Sequence, residues 1–362
     1  MFGYHRPRLQ GLHGKCQLRR VLLFLFCTVT LIVMVRVIED AIPQTDPFDD
    51  RRPYRTQDFK GYGEQQISQM KIRHAVERKQ PYDIGLFGNS RVLSVGREQL
   101  DVGVCTAFNF ALSGQSFRSS VQLLESLARE QALPRLAVIS IDHFELQMYA
   151  NPWTGWRQRW SLLADDVAVA FRHRDVSLRD KMRVPWRFIW TETLLFQSQF
   201  EAAFFRRALL EALGLNDDPF PAAEPGGFGY LPDGSFHSPP RLTDDPPPFS
   251  RTTPQIINVI LRNDLERLFR LARENNLELL IYESPLHPSS AAIFERKPSP
   301  FSESNRRTFM EACADFSVNC VAAPLEAFRE TTGWNDASHP PPSVLGGWIS
   351  AFSRPYLGGC AS

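Results

Sequence analysis

The sequence lacks an excess of charge of either sign, because 41 Lys and Arg residues nearly balance 40 Asp and Glu residues. A formal net charge of +1 creates no overall basic field that would attract nucleic acid. The sequence also contains no stripe of interleaved basic and aromatic residues, which is a second mark of nucleic-acid binding. We therefore predict that nucleic acid is not a partner of this chain.

Paired metal-ligand motifs are missing as well. The six cysteines contain no C-x-x-C pair, which makes a zinc ribbon or a thioredoxin-like motif improbable. Asp142, His143 and Glu145 lie close together, but no H-x-x-x-H motif or equivalent partner is near them. We predict neither a metal nor a cofactor. Sequence alone leaves open whether the body cysteines pair or remain buried thiols; they are Cys105, Cys313, Cys320 and Cys360.

A long apolar run lies near the N-terminus. Residues 21–38 are apolar or tolerated in membranes except for Arg36, and a helix of this length spans about 27 Å, close to the thickness of the bilayer core. Five basic residues precede the run and five acidic residues follow it. This asymmetry predicts a cytoplasmic tail (1–20), a single-pass transmembrane signal anchor (21–38) and a body outside the cytoplasm. A cleaved signal peptide is the alternative.

The rest of the chain alternates short apolar strands with helices after a polar linker at residues 39–62. We predict strands at 82–87, 102–110, 136–141, 277–283 and 318–322. We predict helices at 65–78, 116–129, 254–276, 303–315 and 344–356. Five apolar strands in this alternation indicate an α/β fold, with a mostly parallel sheet covered by helices on both faces. Such sheets carry their sites at the carboxyl ends of the strands.

An insertion at residues 150–254 interrupts this domain (63–362) after the third strand. Its first part, 150–215, is predicted to be helical in pieces, and its proline-rich part, 216–254, is predicted to be loop. Because the insertion leaves from a carboxyl strand end, we expect it to lie at the edge of the sheet and to cover the site. Core packing is the simplest role for its tryptophans, and a sugar-stacking or membrane-facing surface is the alternative; they are Trp153, Trp156, Trp160, Trp186 and Trp190.

A serine lies directly after the first predicted strand, in the sequence Gly88-Asn89-Ser90-Arg91. A serine on a tight strand-to-helix turn is exposed at the sheet edge, where the helix N-terminus favours developing negative charge. By itself this pattern fits a helix cap equally well. A second pattern follows the last strand, where Asp336 and His339 are three residues apart. Such a pair can orient an imidazole that accepts the proton of the serine.

Taken together, these patterns resemble the SGNH/GDSL hydrolase superfamily. The resemblance rests on the G-N-S turn, on the sequence N-F-A-L-S-G-Q-S at residues 109–116 and on the late D-x-x-H motif. It is closest to the membrane-anchored cell-envelope branch, which includes the D-alanine transfer protein and alginate O-acetylation proteins. It implies an SGNH-like, flavodoxin-like sheet, a Ser90–His339–Asp336 triad, and an oxyanion hole formed by the backbone N–H groups of Ser90 and Gly114.

One family feature is missing from the sequence. The third family block, G-x-N-D, supplies an Asn side chain that donates to the oxyanion, whereas the third strand here leads into Asp142 and His143. An ionised Asp142 cannot donate, and losing one oxyanion donor typically costs about 100- to 1000-fold in rate. His143 is a replacement donor at best. We predict substrate-facing roles for a set of residues near the strand ends, with a structural role as the alternative for the last three: Asn89, Arg91, Asp142, His143 and His287.

These patterns lead to two hypotheses about function. The first is transfer or hydrolysis of an acyl group, expected to be acetyl, on an envelope carbohydrate through a serine acyl-enzyme. The resemblance implies an integral-membrane acyltransferase as a further partner and a location at the inner cell membrane, with the catalytic domain in the periplasm. The alternative is a non-catalytic envelope protein that binds glycan or serves as a scaffold. Transferases and esterases use the same triad, so the sequence does not separate them.

Overall fold

A computed structural model gives the architecture. The residues it describes are 46–49, 54–59, 64–100, 102–142, 156–198, 222–224, 227–238, 257–296, 300–321 and 330–358, with the single residues 23, 26, 30, 213, 220 and 328. The basic tail, most of the predicted anchor, His143 and Cys360 lie outside this part. Within it, no helix combines the length and the apolarity that a membrane crossing requires.

Helices and strands alternate along the chain as the apolar pattern predicts. The strands are β1 (Ile84–Phe87), β2 (Ala107–Asn109), β3 (Leu136–Ile141), β4 (Gly229–Tyr230), β5 (Phe236–His237), β6 (Glu278–Glu283) and β7 (Asn319–Val321). The helices are α1 (Glu64–Glu77), α2 (Ser90–Leu93), α3 (Arg97–Leu100), α4 (Phe117–Arg129), α5 (Trp156–Arg172), α6 (Leu178–Ser198), α7 (Asn258–Asn275), α8 (Pro288–Arg296), α9 (Pro300–Phe316) and α10 (Pro342–Leu357).

Five of these strands form one parallel sheet in the order β2-β1-β3-β6-β7. Strands β1 and β3 are buried along their whole length, as expected for parallel strands covered on both faces. Helices α4 and α10 both pack on β3. Helix α4 also contacts α1 and α7, and α10 also contacts α3. The predicted α/β fold with a five-stranded parallel sheet is thus confirmed. The order reverses between β1 and β3, and such a switch point is where open sheets of this type bind ligands.

Several element boundaries differ from the prediction. Strand β2 is shorter than the predicted 102–110, because residues 103–104 form a turn in which Gly103 has a φ of 65°. That positive φ is incompatible with an extended strand. Helix α8 was not predicted. Residues 216–254 were predicted to be loop, yet they contain the antiparallel hairpin β4–β5, which is separate from the central sheet.

The predicted linker, residues 39–62, contains residues of the hydrophobic core. Phe48 and Phe59 belong to the hydrophobic core, and Phe48 is fully buried. Its ring packs edge-on against Phe108 of β2 at 5.5 Å between centroids. Gln57 forms isolated bridges to Ala222 and Tyr230. The described parts of residues 39–62 therefore pack on the domain and hold the β4–β5 hairpin beside it.

The insertion contributes helices α5 and α6, which pack against each other, and no strand of the central sheet within its described residues. Asp166 of α5 forms an ion pair with the buried Arg118 of α4, and Arg118 also binds Asp264 of α7. A second pair joins Arg267 of α7 to Glu125 of α4 at 2.7 Å. The Arg118–Asp166 pair thus attaches the insertion to α4, and the other pairs join α4 to α7.

Core packing, the simplest role for the insertion tryptophans, is wrong for three of them. Trp160, Trp186 and Trp190 are each more than half exposed. On α6, four large apolar side chains recur every fourth residue, which places them on one face of the helix. This α6 apolar face consists of Leu178, Met182, Trp186 and Trp190. The side chains of Trp153 and Trp156 lie outside the described part.

A disulfide joins Cys313 of α9 to Cys320 of β7, with the two Cα atoms 6.1 Å apart. It closes the short connection through which the chain returns to the edge strand of the sheet. The sequence left this pairing open. A structural disulfide of this kind is typical of proteins outside the reducing cytoplasm.

Candidate active site

The turn after β1 places Ser90 at the edge of the sheet. Gly88 has a φ of 149°, and a Cβ atom at this position would lie 2.0 Å from the Ser140 hydroxyl oxygen. A side chain is therefore excluded at Gly88, and the chain turns sharply into α2. Asn89 caps that helix by accepting a hydrogen bond from the Arg91 backbone N–H at 3.0 Å. Ser90 is the first residue of α2, where the free N–H groups of a helix lie.

The segment after β2 lies against this turn. The backbone N–H groups of Phe110 and Leu112 donate to the carbonyls of Leu86 and Gly88 at 2.8 and 3.2 Å. Asn109 is buried, and its amide donates to three carbonyls at the end of α2 and just beyond it: those of Val92, Leu93 and Val95. Asn109 thus stabilises the helix that carries Ser90. Asn109 belongs to the N-F-A-L-S-G-Q-S motif, but no role was predicted for it.

Ser90, His339 and Asp336 form a continuous chain of hydrogen bonds. His339 Nε2 lies 2.8 Å from Ser90 Oγ, although 249 residues separate the two in sequence. His339 Nδ1 lies 2.8 Å from the Oδ2 atom and 2.9 Å from the Oδ1 atom of Asp336. With Nδ1–H donating to the carboxylate, Nε2 is the basic nitrogen that faces the serine. The structure therefore brings together all three residues of the predicted triad in the arrangement that proton transfer requires.

The Asp336 carboxylate is held in its charged form. Burial alone would raise its pKa, but the hydrogen bond and the charge of His339, with the N–H and hydroxyl of Ser338, hold the pKa of Asp336 well below its usual range. Ser338 N and His339 N donate to Asp336 Oδ1 at 2.7 and 3.0 Å. The carboxylate consequently stays ionised at neutral pH and can stabilise a protonated His339.

Arg91 connects three segments behind the nucleophile. Its guanidinium forms a buried ion pair with Asp142 at the end of β3, and its Nε donates to the Ser338 carbonyl at 3.1 Å. Asn89 Nδ2 also donates to Asp142. We predicted substrate-facing roles for Asn89, Arg91 and Asp142. Instead, Arg91 and Asp142 are buried against each other, and Asn89 binds Asp142 and the Arg91 backbone.

The remaining predicted site residues occupy different positions. His287 does not line the cavity beside Ser90. Its Nδ1 pairs with the Ser289 hydroxyl at 2.8 Å, and its ring packs edge-on against Trp334. Gly114 lies in the segment after β2, next to Ser113, which lines that cavity. His143 lies outside the described residues.

A cavity of about 790 Å³ opens beside Ser90 and His339. Its size is within the range of small-molecule sites, and a substrate bound there would touch the serine hydroxyl. The insertion forms much of one wall through residues 227–230, Phe236 and Ser238, and this wall includes the rings of Phe228 and Tyr230. The part of the insertion predicted to be loop therefore does border the site.

Glu64 and Lys71, two charged residues of α1 near this cavity, were missed from sequence. Burial raises the pKa of Glu64 to about 7, against the opposing effects of the Lys71 charge and the Ser113 backbone. Burial lowers the pKa of Lys71 to about 7, and Glu64 and Asp233 oppose that change. Lys71 Nζ donates to three carbonyls, those of Asn109, Ala111 and Gly234, at 2.7–2.8 Å. No local motif marks either residue, because their partners are distant in sequence.

Comparisons with known proteins identify no close relative. No protein-family model matches the chain, and no curated protein matches it significantly. Among solved structures, TesA has 13% identity and a TM-score of 0.35, and the match covers 76% of this chain and 98% of TesA. A GDSL-like lipase from Bacteroides thetaiotaomicron has 11% identity and a TM-score of 0.36, with 80% and 96% covered. Likeness at this level does not bear on the activity of this chain.

Proposed function

We propose that the chain is an SGNH-type enzyme that transfers or hydrolyses acyl groups through a covalent ester on Ser90. The observation that supports this proposal is the hydrogen-bonded chain of Asp336, His339 and Ser90 at the wall of a cavity. A serine, a base within hydrogen-bond reach and a third group that orients the base form the arrangement that activates a hydroxyl nucleophile.

In the proposed reaction, His339 Nε2 accepts the Ser90 proton while Oγ attacks the carbonyl carbon of an ester. The carbonyl oxygen becomes an oxyanion, which the backbone N–H groups of Ser90 and Gly114 stabilise. When the C–O bond to the leaving alcohol breaks, the protonated His339 returns the proton to that alcohol. Water or a second hydroxyl then attacks the acyl-Ser90 ester while His339 accepts its proton. The bond between the acyl carbon and Ser90 Oγ breaks, and His339 returns the proton to Oγ. Asp336 stabilises the imidazolium in both steps.

Within this chemistry, we propose that the acyl group is acetyl and that the acceptor is an envelope carbohydrate. An integral-membrane acyltransferase would supply the acyl group in the transfer version of the reaction. The family resemblance of the G-N-S, N-F-A-L-S-G-Q-S and D-x-x-H segments suggests both points. The aromatic wall of the cavity gives a surface on which a sugar ring can pack.

Covalent labelling at Ser90 tests the proposed enzyme against the scaffold alternative. A fluorophosphonate reacts with a serine only when a neighbouring base activates it. We expect stoichiometric labelling of the full-length protein at Ser90, detected by mass spectrometry of peptides, and no labelling of Ser90→Ala or His339→Ala. Ser94, which lines the same cavity, is an internal control that should stay unlabelled. If the wild-type protein does not react, the non-catalytic glycan-binding or scaffolding protein becomes the better description.

We also propose that the domain works outside the cytoplasm, attached to the inner membrane by residues 21–38. The charge asymmetry around that run supports this orientation. The Cys313–Cys320 disulfide suits an oxidising compartment, and the α6 apolar face suits a position close to a lipid surface.

A reporter fusion measures this topology directly. An alkaline phosphatase fused after Ser362 requires disulfide formation and should be active in intact cells. Replacing the five basic residues of the tail by Gln should lower that activity, because the positive charges orient the anchor. A β-galactosidase fusion at the same position should show the reverse pattern. Activity of the β-galactosidase fusion alone would contradict the proposed orientation.

A further inference from the structure

The charged side chains that line the cavity share one sign. Apart from the triad, the described lining includes Asp58, Glu64 and Glu224 and neither Lys nor Arg. Cavities with low-dielectric walls focus the field of their charges, so a cavity of this composition attracts cations and repels anions. The pair of His339 and Asp336 adds no positive charge to the cavity while the imidazole is neutral.

Glu64 has an incomplete set of partners in this cavity. Among the residues that the structure describes, its Oε2 atom has no hydrogen-bond partner, and the surrounding protein encloses that atom. Lys71 donates its three N–H groups to the carbonyls of Asn109, Ala111 and Gly234. A buried carboxylate oxygen without a hydrogen bond is costly. A cation bound in the cavity would offset part of this cost by Coulomb attraction to the carboxylate, without direct contact with Oε2.

Aromatic side chains form part of the wall of the same cavity. Phe59 packs on Tyr230 at 4.8 Å between ring centroids, Tyr230 on Phe236 at 5.1 Å, and Phe236 on Phe228 at 6.4 Å. All four rings line the cavity, and Phe228 is more than half exposed. Aromatic faces combined with a carboxylate are the usual surroundings of a bound ammonium group, because the ring faces carry negative charge.

We propose that the ester processed at Ser90 carries an ammonium group, and that Glu64 and the aromatic wall bind this group. The inference rests on the proposed ester chemistry and narrows its substrate class to cationic esters. An ammonium group on the alcohol side of the scissile bond is compatible with the acetyl group proposed above, whereas one on the acyl side would mean that the acyl group is not acetyl. Glu64 is thus a specificity-determining residue and takes no part in proton transfer.

Binding of such a cation should weaken as the pH falls through about 7, because burial raises the pKa of Glu64 to that value. The ligand binds the carboxylate form, so protonation of Glu64 competes with it. Asp58, Glu224, Tyr230, Asp336 and His339 also line the cavity, and the charge of Lys71, whose Nζ lies 4.8 Å from the centre of the Tyr230 ring, also acts on Glu64. The Glu64→Gln variant removes the effect of Glu64 on the pH dependence of cation binding and keeps the effects of the other groups. The difference between the pH profiles of the wild type and the variant therefore gives the effect of Glu64 alone.

A pair of isosteric ligands tests the cation site without catalysis. Choline and its neutral isostere 3,3-dimethylbutan-1-ol would be titrated calorimetrically into full-length Ser90→Ala protein at pH 8. We expect choline to bind about 10-fold more tightly than the alcohol. Adding Glu64→Gln should remove most of this preference and leave the alcohol unaffected. Adding Glu77→Gln, at the far end of α1 and outside the cavity lining, should change neither affinity. Equal binding of both ligands, or a preference that survives Glu64→Gln, would overturn the inference.

Matched esters locate the ammonium group and separate this inference from the proposed function. Acetylcholine is compared with 3,3-dimethylbutyl acetate, and betaine ethyl ester with ethyl 3,3-dimethylbutanoate. In one of the two pairs, Glu64→Gln should lower the kcat/KM of the cationic member about 10-fold and spare the neutral member. Hydrolysis of all four esters with no effect of Glu64→Gln would refute the cation site alone. Retained choline binding without any turnover or labelling at Ser90 would refute the enzyme and leave the cation site standing.

Discussion

Replacing Ser90 or His339 by Ala should lower ester turnover by about 10⁴-fold or more. The 2.8 Å contact between Ser90 Oγ and His339 Nε2 is the route by which the hydroxyl loses its proton, and each residue is useless for that step without the other. The double variant should therefore be little worse than either single variant. Asp336→Asn should be comparable or milder, because the amide still touches Nδ1 but favours the wrong tautomer. The measurement is the steady-state kcat/KM for 4-nitrophenyl acetate.

His287→Ala is the matched control for these variants. This histidine lies on a neighbouring strand end, contacts Ser289 and Trp334, and does not line the cavity. Its replacement should change kcat/KM by less than about 10-fold, the range in which indirect effects on packing fall. Additive losses in the Ser90→Ala/His339→Ala double variant would mean that the two residues do not act as a unit, and the acyl-enzyme mechanism would fail.

The sequence predicted the sheet well because buried parallel strands are continuous apolar runs. The predicted strand 136–141 coincides with β3, and the predicted strand 277–283 differs from β6 by one residue. Boundaries were less predictable where a turn lies inside an apolar stretch, as at Gly103. The β4–β5 hairpin was missed because each of its strands has two residues, too few to show any period.

The triad was predictable for a similar reason. Ser90 comes just after β1, and His339 lies in the connection between β7 and α10, so both residues lie beyond the carboxyl ends of parallel strands at one edge of the sheet. Glu64 and Lys71 lie on a helix with no recognisable motif, and only tertiary packing places Glu64 at the cavity and Lys71 under the β4–β5 hairpin. Such positions cannot be derived from local spacing, because their function depends on residues such as Ser113 and Gly234 that are distant in the chain.

Asp142 has a structural role, which the sequence left open beside a substrate-facing one. An ionised carboxylate at the family's third-block position would repel an oxyanion if it faced the site. In the structure, Arg91 pairs with this carboxylate and Asn89 donates to it. The pair also ties the end of β3 to the turn that carries Ser90. The residue that takes the place of an oxyanion donor therefore supports the nucleophile from behind, and Ser90 and Gly114 are left as the backbone donors in the proposed mechanism.

The second large effect is expected at Arg118, where replacement by Met should destabilise the fold by about 3–5 kcal/mol. The guanidinium is almost fully buried and binds two carboxylates, with Nη2 at 2.6 Å from Asp166 and Nε at 2.9 Å from Asp264. Without Arg118, the one cation left beside the two buried carboxylates in the described part of the chain would be Arg267, whose nearest contact with Asp264 is 3.5 Å. A buried charge that loses its partner is far more costly than a pair removed together.

Thermal unfolding of the full-length protein in detergent measures this loss, which should lower the Tm by about 6–12 °C. Arg129→Met is the matched control, because Arg129 lies on the same helix but is exposed, and its variant should unfold within about 2 °C of the wild type. Equal Tm values for the two variants would mean that the Arg118 cluster does not hold the insertion to the domain.

The destabilisation caused by Arg118→Met should depend on pH, because the carboxylates of Asp166 and Asp264 stay buried without Arg118. Burial already raises the pKa of Asp166 in the presence of Arg118, which opposes that rise. Removing Arg118 should raise the folded-state pKa of Asp166 further above its unfolded value. A carboxyl group with a raised pKa in the folded protein binds a proton more readily there than in the unfolded chain. Its contribution to the free energy of unfolding is therefore most favourable below its unfolded pKa and is lost as the pH rises through its folded pKa. Arg118→Met should therefore cost less at pH 5 than at pH 8. A triple variant with Asp166→Leu and Asp264→Leu should recover much of the stability, because no unpaired charge remains buried.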